Sequence, residues 1–323
     1  MNPSTYVLGG LLTQPASPAN VAAAQAILPS FKLPFANYSP SASIGQALRP
    51  FPQFNGFSDI WGNIGNSNYS SLQLALKQTE LRGFSYGLTY TYAKTYDDTG
   101  NSRSAYGYNG LTAGQEEHAL STIDIPSRFT LYYVYNLPFG KADGNRLVNQ
   151  LIKNWAISGL VTRQSGTPLS ITATGCNDPF GGTCVPNINS SYSGPVRVNG
   201  GWGRKNTATT SYSYITSYAS LGNSTAPQPF SLPPAYTIGN AARTYAYGLR
   251  NPGNYDEDIS VRRAFNIWES LKFTFEASAY NLDGHVDFGG PSANWSQTST
   301  TFGVVSSQAN SPRDVQFSGR FDF

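Results

Sequence analysis

Apolar and polar residues alternate with a period of two along seven segments of the chain, each about ten residues long. Residues 69–79 place Leu72, Leu74 and Leu76 on one side and Ser71, Gln73, Ala75 and Lys77 on the other. Residues 84–95 alternate Phe84, Tyr86, Leu88, Tyr90 and Tyr92 with Ser85, Gly87, Thr89, Thr91 and Ala93. Residues 127–137 set Phe129, Leu131, Tyr133, Tyr135 and Leu137 against Arg128, Thr130, Tyr132 and Asn136. Residues 154–164 carry Trp155, Ile157 and Val161 against Ser158, Thr162 and Gln164. Residues 255–265 carry Ile259, Val261 and Phe265, and residues 271–281 carry Leu271, Phe273 and Phe275. In residues 313–323, Val315, Phe317, Phe321 and Phe323 share one face, opposite Asp314, Gln316, Ser318, Arg320 and Asp322. Neighbouring side chains of a strand point to opposite faces, so the pattern predicts strands lying between two different media.

The connections separate two architectures. A soluble sandwich has edge strands with the same alternation, but loops beyond about 15 residues are uncommon in compact domains. Here short links (residues 80–83, 138–144 with a brief continuation, and 266–270) alternate with long ones (97–125, 174–254 and 282–312). Outer-membrane barrels have short periplasmic turns and long extracellular loops, and strands of about ten residues cross a bilayer when tilted. The predicted fold is therefore all-β: a partial antiparallel transmembrane β-barrel of seven strands, with long extracellular loops. The alternation sends Phe323 to the periplasm and residues 1–68 to the extracellular side. That segment is rich in Pro, Ala and Ser and reads as one outside loop, with a short helix expected around residues 19–28. Residues 69–323 form the barrel portion.

Composition agrees with β structure. Only 12% of residues are charged, while Tyr (21) and Phe (18) are abundant. The net charge of +3 is small and dispersed, which points away from a nucleic-acid partner. No window approaches the roughly 18 consecutive apolar residues of a membrane-spanning helix. The first residues, Met-Asn-Pro-Ser-Thr-Tyr-Val-Leu, lack the basic start and apolar run of a signal peptide, so the natural N-terminus is expected to lie upstream. Cys176 and Cys184 flank a turn containing Asp178-Pro179 and Gly181-Gly182. They fit a small disulfide-closed loop in an oxidising compartment, two unpaired thiols being the alternative.

Several phrases, in order, resemble the C-terminal barrel region of TonB-dependent outer-membrane receptors of the Oar-like group common in acidobacteria, whose members carry a carboxypeptidase-regulatory-like domain. They include Leu48-Arg-Pro-Phe-Pro-Gln53, Asn68-Tyr-Ser-Ser-Leu-Gln73, Tyr90-Thr-Tyr-Ala-Lys94, Ile125-Pro-Ser-Arg-Phe129 and Tyr135-Asn-Leu-Pro-Phe-Gly-Lys141. Asn154-Trp-Ala-Ile-Ser-Gly159, Gln164-Ser-Gly-Thr-Pro168, Arg250-Asn-Pro-Gly253 and the aromatic terminus complete the set. The resemblance implies a bacterial outer-membrane importer of a bulky nutrient such as a glycan, peptide or metal chelate. It implies as partners outer-membrane lipid, the barrel-assembly machinery, an N-terminal plug with further barrel strands, and a TonB-type energiser reached through that other part. Phe317, Phe321 and Phe323 are then the C-terminal assembly signal. Seven strands are fewer than the eight of the smallest barrels, so the chain is expected to be the end of a larger protein.

Signs of other chemistry are weak. His118 and His285 fall in predicted loops, no hydrolase or nucleotide-binding motif occurs, and neither an enzyme nor a cofactor is expected. Asp97-Asp-Thr-Gly-Asn101 and Asp256-Glu-Asp258 offer oxygens to calcium, although a solvated turn accounts for the first. Lys77, Arg128, Asp258, Arg262, Lys272, Glu276 and Arg320 fall on the polar face, whereas Arg163 shares the face of Ile157 and Val161. Aromatic residues of the long loops, Tyr106, Tyr108, Trp202, Tyr245 and Trp295 among them, are candidate ligand contacts by stacking, or packing between loops. Trp155 and Trp268 suit the periplasmic aromatic girdle. Two rival functions remain: a surface, adhesion or assembly barrel, and a secreted β-rich binding module.

Overall fold

Seven antiparallel strands follow one another across a single sheet in chain order: β1 (Ser67–Leu81), β2 (Phe84–Asp97), β3 (Ser127–Asn136), β4 (Trp155–Gln164), β5 (Asn254–Asn266), β6 (Lys272–Tyr280) and β7 (Asp314–Asp322). The computed structural model describes residues 3–55, 65–98, 118–139, 152–176, 184–198, 204–205, 212–223, 225–235, 237, 239–268 and 271–323. Strand order and boundaries fall within a few residues of those read from the alternation. Among the described residues β1 and β7 each have one long neighbour, at the two edges of the sheet.

The register keeps the two faces chemically distinct. Leu76, Leu88, Leu131 and Val161 line up across four strands, and Leu74, Tyr90 and Phe129 across three. The next row, on the opposite face, joins Ala75, Thr89, Thr130, Thr162 and Asp256. A slip of one residue would exchange these rows, so the face chemistry fixes the pairing. Turn chemistry fixes it again at the β1–β2 hairpin. Arg82 and Gly83 both take positive φ, 51° and 82°, as a two-residue type I′ turn requires. A side chain on Gly83 would bring its Cβ to 2.7 Å from the Asn136 carbonyl oxygen.

Outside the sheet the chain builds two small bodies. The first is made by the long loops after β4 and β6. Short ladders join Val304–Val305 to Tyr212–Ser213, and Asn294–Trp295 to Thr172–Ala173. They enclose a core of Leu169, Ile171, Ile215, Phe230, Trp295 and Phe302. Each such side chain taken from water contributes about 1.5–3 kcal/mol. The second body is residues 3–55, expected as part of an outside loop with a short helix around residues 19–28. Helix α1 (Pro18–Ile27), capped by the Ser17 hydroxyl, and the one-turn helix α2 (Ile44–Ala47) close instead over Leu8, Leu12, Phe31 and Ile44. These apolar residues recur without a fixed period, so alternation gives no sign of them.

Candidate functional site

One face of the sheet presents an apolar band to its surroundings. Leu72, Leu74 and Leu76 are each more than half exposed, and Phe317 and Phe321 stand out at the far edge. A water-soluble monomer rarely exposes a contiguous apolar surface this broad, whereas hydrocarbon is the natural solvent for it. The other face is mainly polar, with Tyr132, Val134 and Leu160 among its side chains. Arg262 stands opposite Glu276, Lys272 opposite Asp322, and Ser260 donates to a Glu276 carboxylate oxygen at 2.7 Å. The connections of 29, 89 and 33 residues leave the sheet at one end and those of 2, 18 and 5 residues at the other, the 18-residue β3–β4 link being longer than the short turn expected there.

Among the described strand residues four charged side chains break the apolar face, the first being Lys94, beside Tyr92 and Tyr96 on β2 and opposite Ser70. Arg163 lies on it as the alternation predicts, with Tyr255 directly opposite. Glu257 and Arg263 lie there too, in register with Val161 and Trp155, and were missed by sequence reasoning. The signal was present, because Arg263 falls between Val261 and Phe265 in the period of two. None of the four sits at the centre of its strand. Glu257 accepts the Tyr255 hydroxyl at 3.0 Å near the loop end. Arg263 lies near the turn end with its guanidinium over the rings of Phe265 (4.0 Å) and Trp155 (5.4 Å). Long charged side chains near the ends of spanning segments reach the interface in this way. Trp155, Trp268 and Phe323 occupy the same turn end, where interfacial aromatics belong.

Two of the resembling phrases clamp the loop end. Arg250 donates to the Asp124 carboxylate (2.6 Å), the Asp124 carbonyl (3.2 Å) and the Gly166 carbonyl (3.1 Å). The buried Asp124 also accepts the Thr95 backbone N–H at 2.7 Å, so one carboxylate ties β2 to the loop before β5. Asn251 bonds Thr167 through its backbone and its side chain. A Cβ on Gly166 would stand 1.8 Å from the Asn251 carbonyl oxygen, so only glycine lets these segments cross. Arg243, fully buried, adds a second clamp on the carboxylate and carbonyl of Asp97, and the Thr244 hydroxyl donates to the Leu120 carbonyl. Nearby, the Asn66 backbone N–H and side-chain amide, at 2.7 and 2.8 Å, hold the Asp98 carboxyl below the usual aspartate range. Burial pushes the Tyr214 hydroxyl above the ordinary tyrosine range while it donates to the Arg250 carbonyl at 2.8 Å.

The candidate site residues are scattered. Cys176 and Cys184 are disulfide-bonded in the loop body. Tyr245 is partly exposed beneath the Arg250 guanidinium, 4.8 Å from its ring centroid. Trp295, expected as a ligand contact, is 1% exposed: it packs in the loop core and donates its indole N–H to Gln228 at 3.3 Å. Packing is the role its burial leaves. Tyr106, Tyr108 and Trp202 lie outside the described residues, as does the Thr99–Asn101 part of the first acidic stretch. Phe317, Phe321 and Phe323 line one face of the β7 edge, all well exposed. His118 stacks on Tyr96, and His285 lies 3.5 Å from Asp287.

Two-faced antiparallel strands, aromatics at one end and long packed loops at the other define a membrane β-barrel wall. In agreement, a family model described as "Outer membrane beta barrel domain" matches residues 12–316, and the chain belongs to that family. It is a protein of the bacterial outer membrane. Neither the search of curated proteins nor that of solved structures returned a match.

Proposed function

We propose that the chain is the C-terminal wall of a TonB-dependent receptor of the Oar-like type, importing a bulky nutrient such as a glycan, peptide or metal chelate. One observation carries this reading: a mainly polar inner face rises to a packed loop body clamped at the outer rim by Arg243 and Arg250. A wall that only anchored the protein needs an apolar outside, but not a built and charged path inside. Solute is captured at the loops and passes along the polar face when a plug supplied by another part of the protein moves. An energiser in the inner membrane drives that movement. Phe317, Phe321 and Phe323 act earlier, presenting the β7 edge to the assembly machinery. The chain has no catalytic role in this scheme and needs no cofactor.

A second reading, a surface or adhesion barrel, is favoured by the loop body itself, whose own core makes it a ready docking face. Uptake separates the two. Deleting the gene, and separately the TonB-type energiser, should abolish uptake of the same bulky solute by the source bacterium. Unchanged uptake with lost surface adhesion would overturn import in favour of the second reading.

A further inference from the structure

On the polar face, at the loop end of β5–β7, an open groove of about 560 Å³ is lined by four carboxylates, Asp256, Asp258, Asp287 and Asp314, and by no lysine or arginine. Their hydrogen bonds leave much of this charge unanswered. Asp287 accepts the Tyr255 backbone N–H (2.9 Å) and has His285 at 3.5 Å. Asp258 accepts the Asn281 backbone N–H through one oxygen at 3.0 Å, and Asp314 accepts the Gln316 amide at 3.3 Å. Among the described residues none donates to Asp256. Of the basic residues around it, Arg128 stands in register opposite the lining residue Gln164, and Arg313 lies between the lining residues Pro312 and Asp314.

Asn281 gives an independent sign of a missing partner. It lines the same groove, is 4% exposed, and among the described residues its side-chain oxygen has no hydrogen-bond partner. Its amide nitrogen is spoken for by the carbonyls of His285 (2.9 Å) and Ser311 (3.0 Å), which fixes the orientation of the amide. A buried carbonyl oxygen without a donor is costly, so the arrangement suits an incoming N–H or cation.

We propose that this groove binds the ammonium or guanidinium end of an organic cation, such as a basic peptide side chain or a polyamine. The proposal rests on the import reading and narrows its substrate class. Among the described residues no group of three or more His, Cys, Asp or Glu side chains is placed to hold a metal ion. A site of this width, with carboxylates spread along its walls, matches an extended multivalent cation better than a bare ion. Carboxylates in a cleft with low-dielectric walls also concentrate cations at its mouth.

Isothermal titration of the detergent-solubilised protein with spermidine, and in parallel with calcium, tests this. Spermidine should bind, and the double substitution Asp256→Asn with Asp314→Asn should raise its Kd at least tenfold while the protein keeps its heat-modifiable migration. Neither side chain ties strand to loop, so both are dispensable for folding. Asn281→Leu serves as a second probe and should also weaken binding. The proposal is overturned if spermidine does not bind, if the double variant binds it equally well, or if calcium binds here and spermidine does not. Binding is read without transport, so loss of the import reading and loss of this site remain separate results.

Discussion

The sheet and the loop body handle apolar side chains in opposite ways within one chain. In the sheet, Leu72, Leu74, Leu76, Phe317 and Phe321 face outward. In the loop body, Ile171, Ile215, Phe230, Trp295 and Phe302 face inward, each 1% exposed or less. Burial of apolar surface drives both arrangements, and what differs is the medium outside. Hydrocarbon around the strands takes the place of a protein core, whereas the loops stand in water and must build one. The same residue types therefore mean different things at different heights above the membrane.

Substitutions sharpen the contrast. The largest effect is expected from Trp295→Ala, at roughly 3–5 kcal/mol, because a filled core loses its biggest side chain. Hydrogen exchange should rise across residues 165–253 and 281–313 while the strands stay protected. Strands that exchange equally fast would mean that the two regions are one cooperative unit. Next, Leu74→Arg at the middle of β1 should destabilise the protein in lipid by about 2–4 kcal/mol, the cost of arginine at the bilayer midplane. Gln73→Arg, one residue away on the polar face, should cost far less in urea titrations of the protein in vesicles. Equal losses at the two positions would break the assignment of the faces.

Replacing Cys176 and Cys184 together by Ser should loosen the loop body by roughly 2–3 kcal/mol on chain-entropy grounds, with no change in strand protection. Protease susceptibility near the bridge, with and without reductant, is the readout. The smallest effect concerns Asp98. Because the Asn66 N–H and amide lower its folded pKa, this clasp contributes fully above the unfolded aspartate value of about 3.9. The contribution is lost as pH falls through the lower folded value. Exchange of the Asn66 amide should therefore stay slow at neutral pH and quicken only in strong acid. Quickening that began near neutrality would contradict the clasp.

The strands were legible because lipid and lumen impose a period of two, and aromatic residues and leucines mark it from Phe84 to Tyr92 in β2 and from Phe129 to Tyr135 in β3. The loop core was not, because Leu169, Ile171, Phe230 and Phe302 are gathered from distant turns with no common period. In residues 3–55 the helix was legible, but the core that packs around it escaped for the same reason. Charge was read by assuming that it belongs inside, which hid Glu257 and Arg263 near the ends of β5. The groove was half visible as Asp256-Glu-Asp258, but Asp287 and Asn281 join it only through the fold.

Short turns alternating with long loops also order events in time. The β1–β2, β3–β4 and β5–β6 pairs join neighbours in sequence, so each hairpin closes quickly. The pairing of Val304 with Ser213 spans most of the second half of the chain and must come late. Lengthening a loop raises its closure entropy only logarithmically, so the delay is kinetic far more than thermodynamic. The strands can thus cross as slender hairpins before their outer ends condense. Once the loop body has folded on the far side, retreat would drag a packed core and its polar shell through hydrocarbon. The loops thereby act as a latch that makes insertion a one-way step.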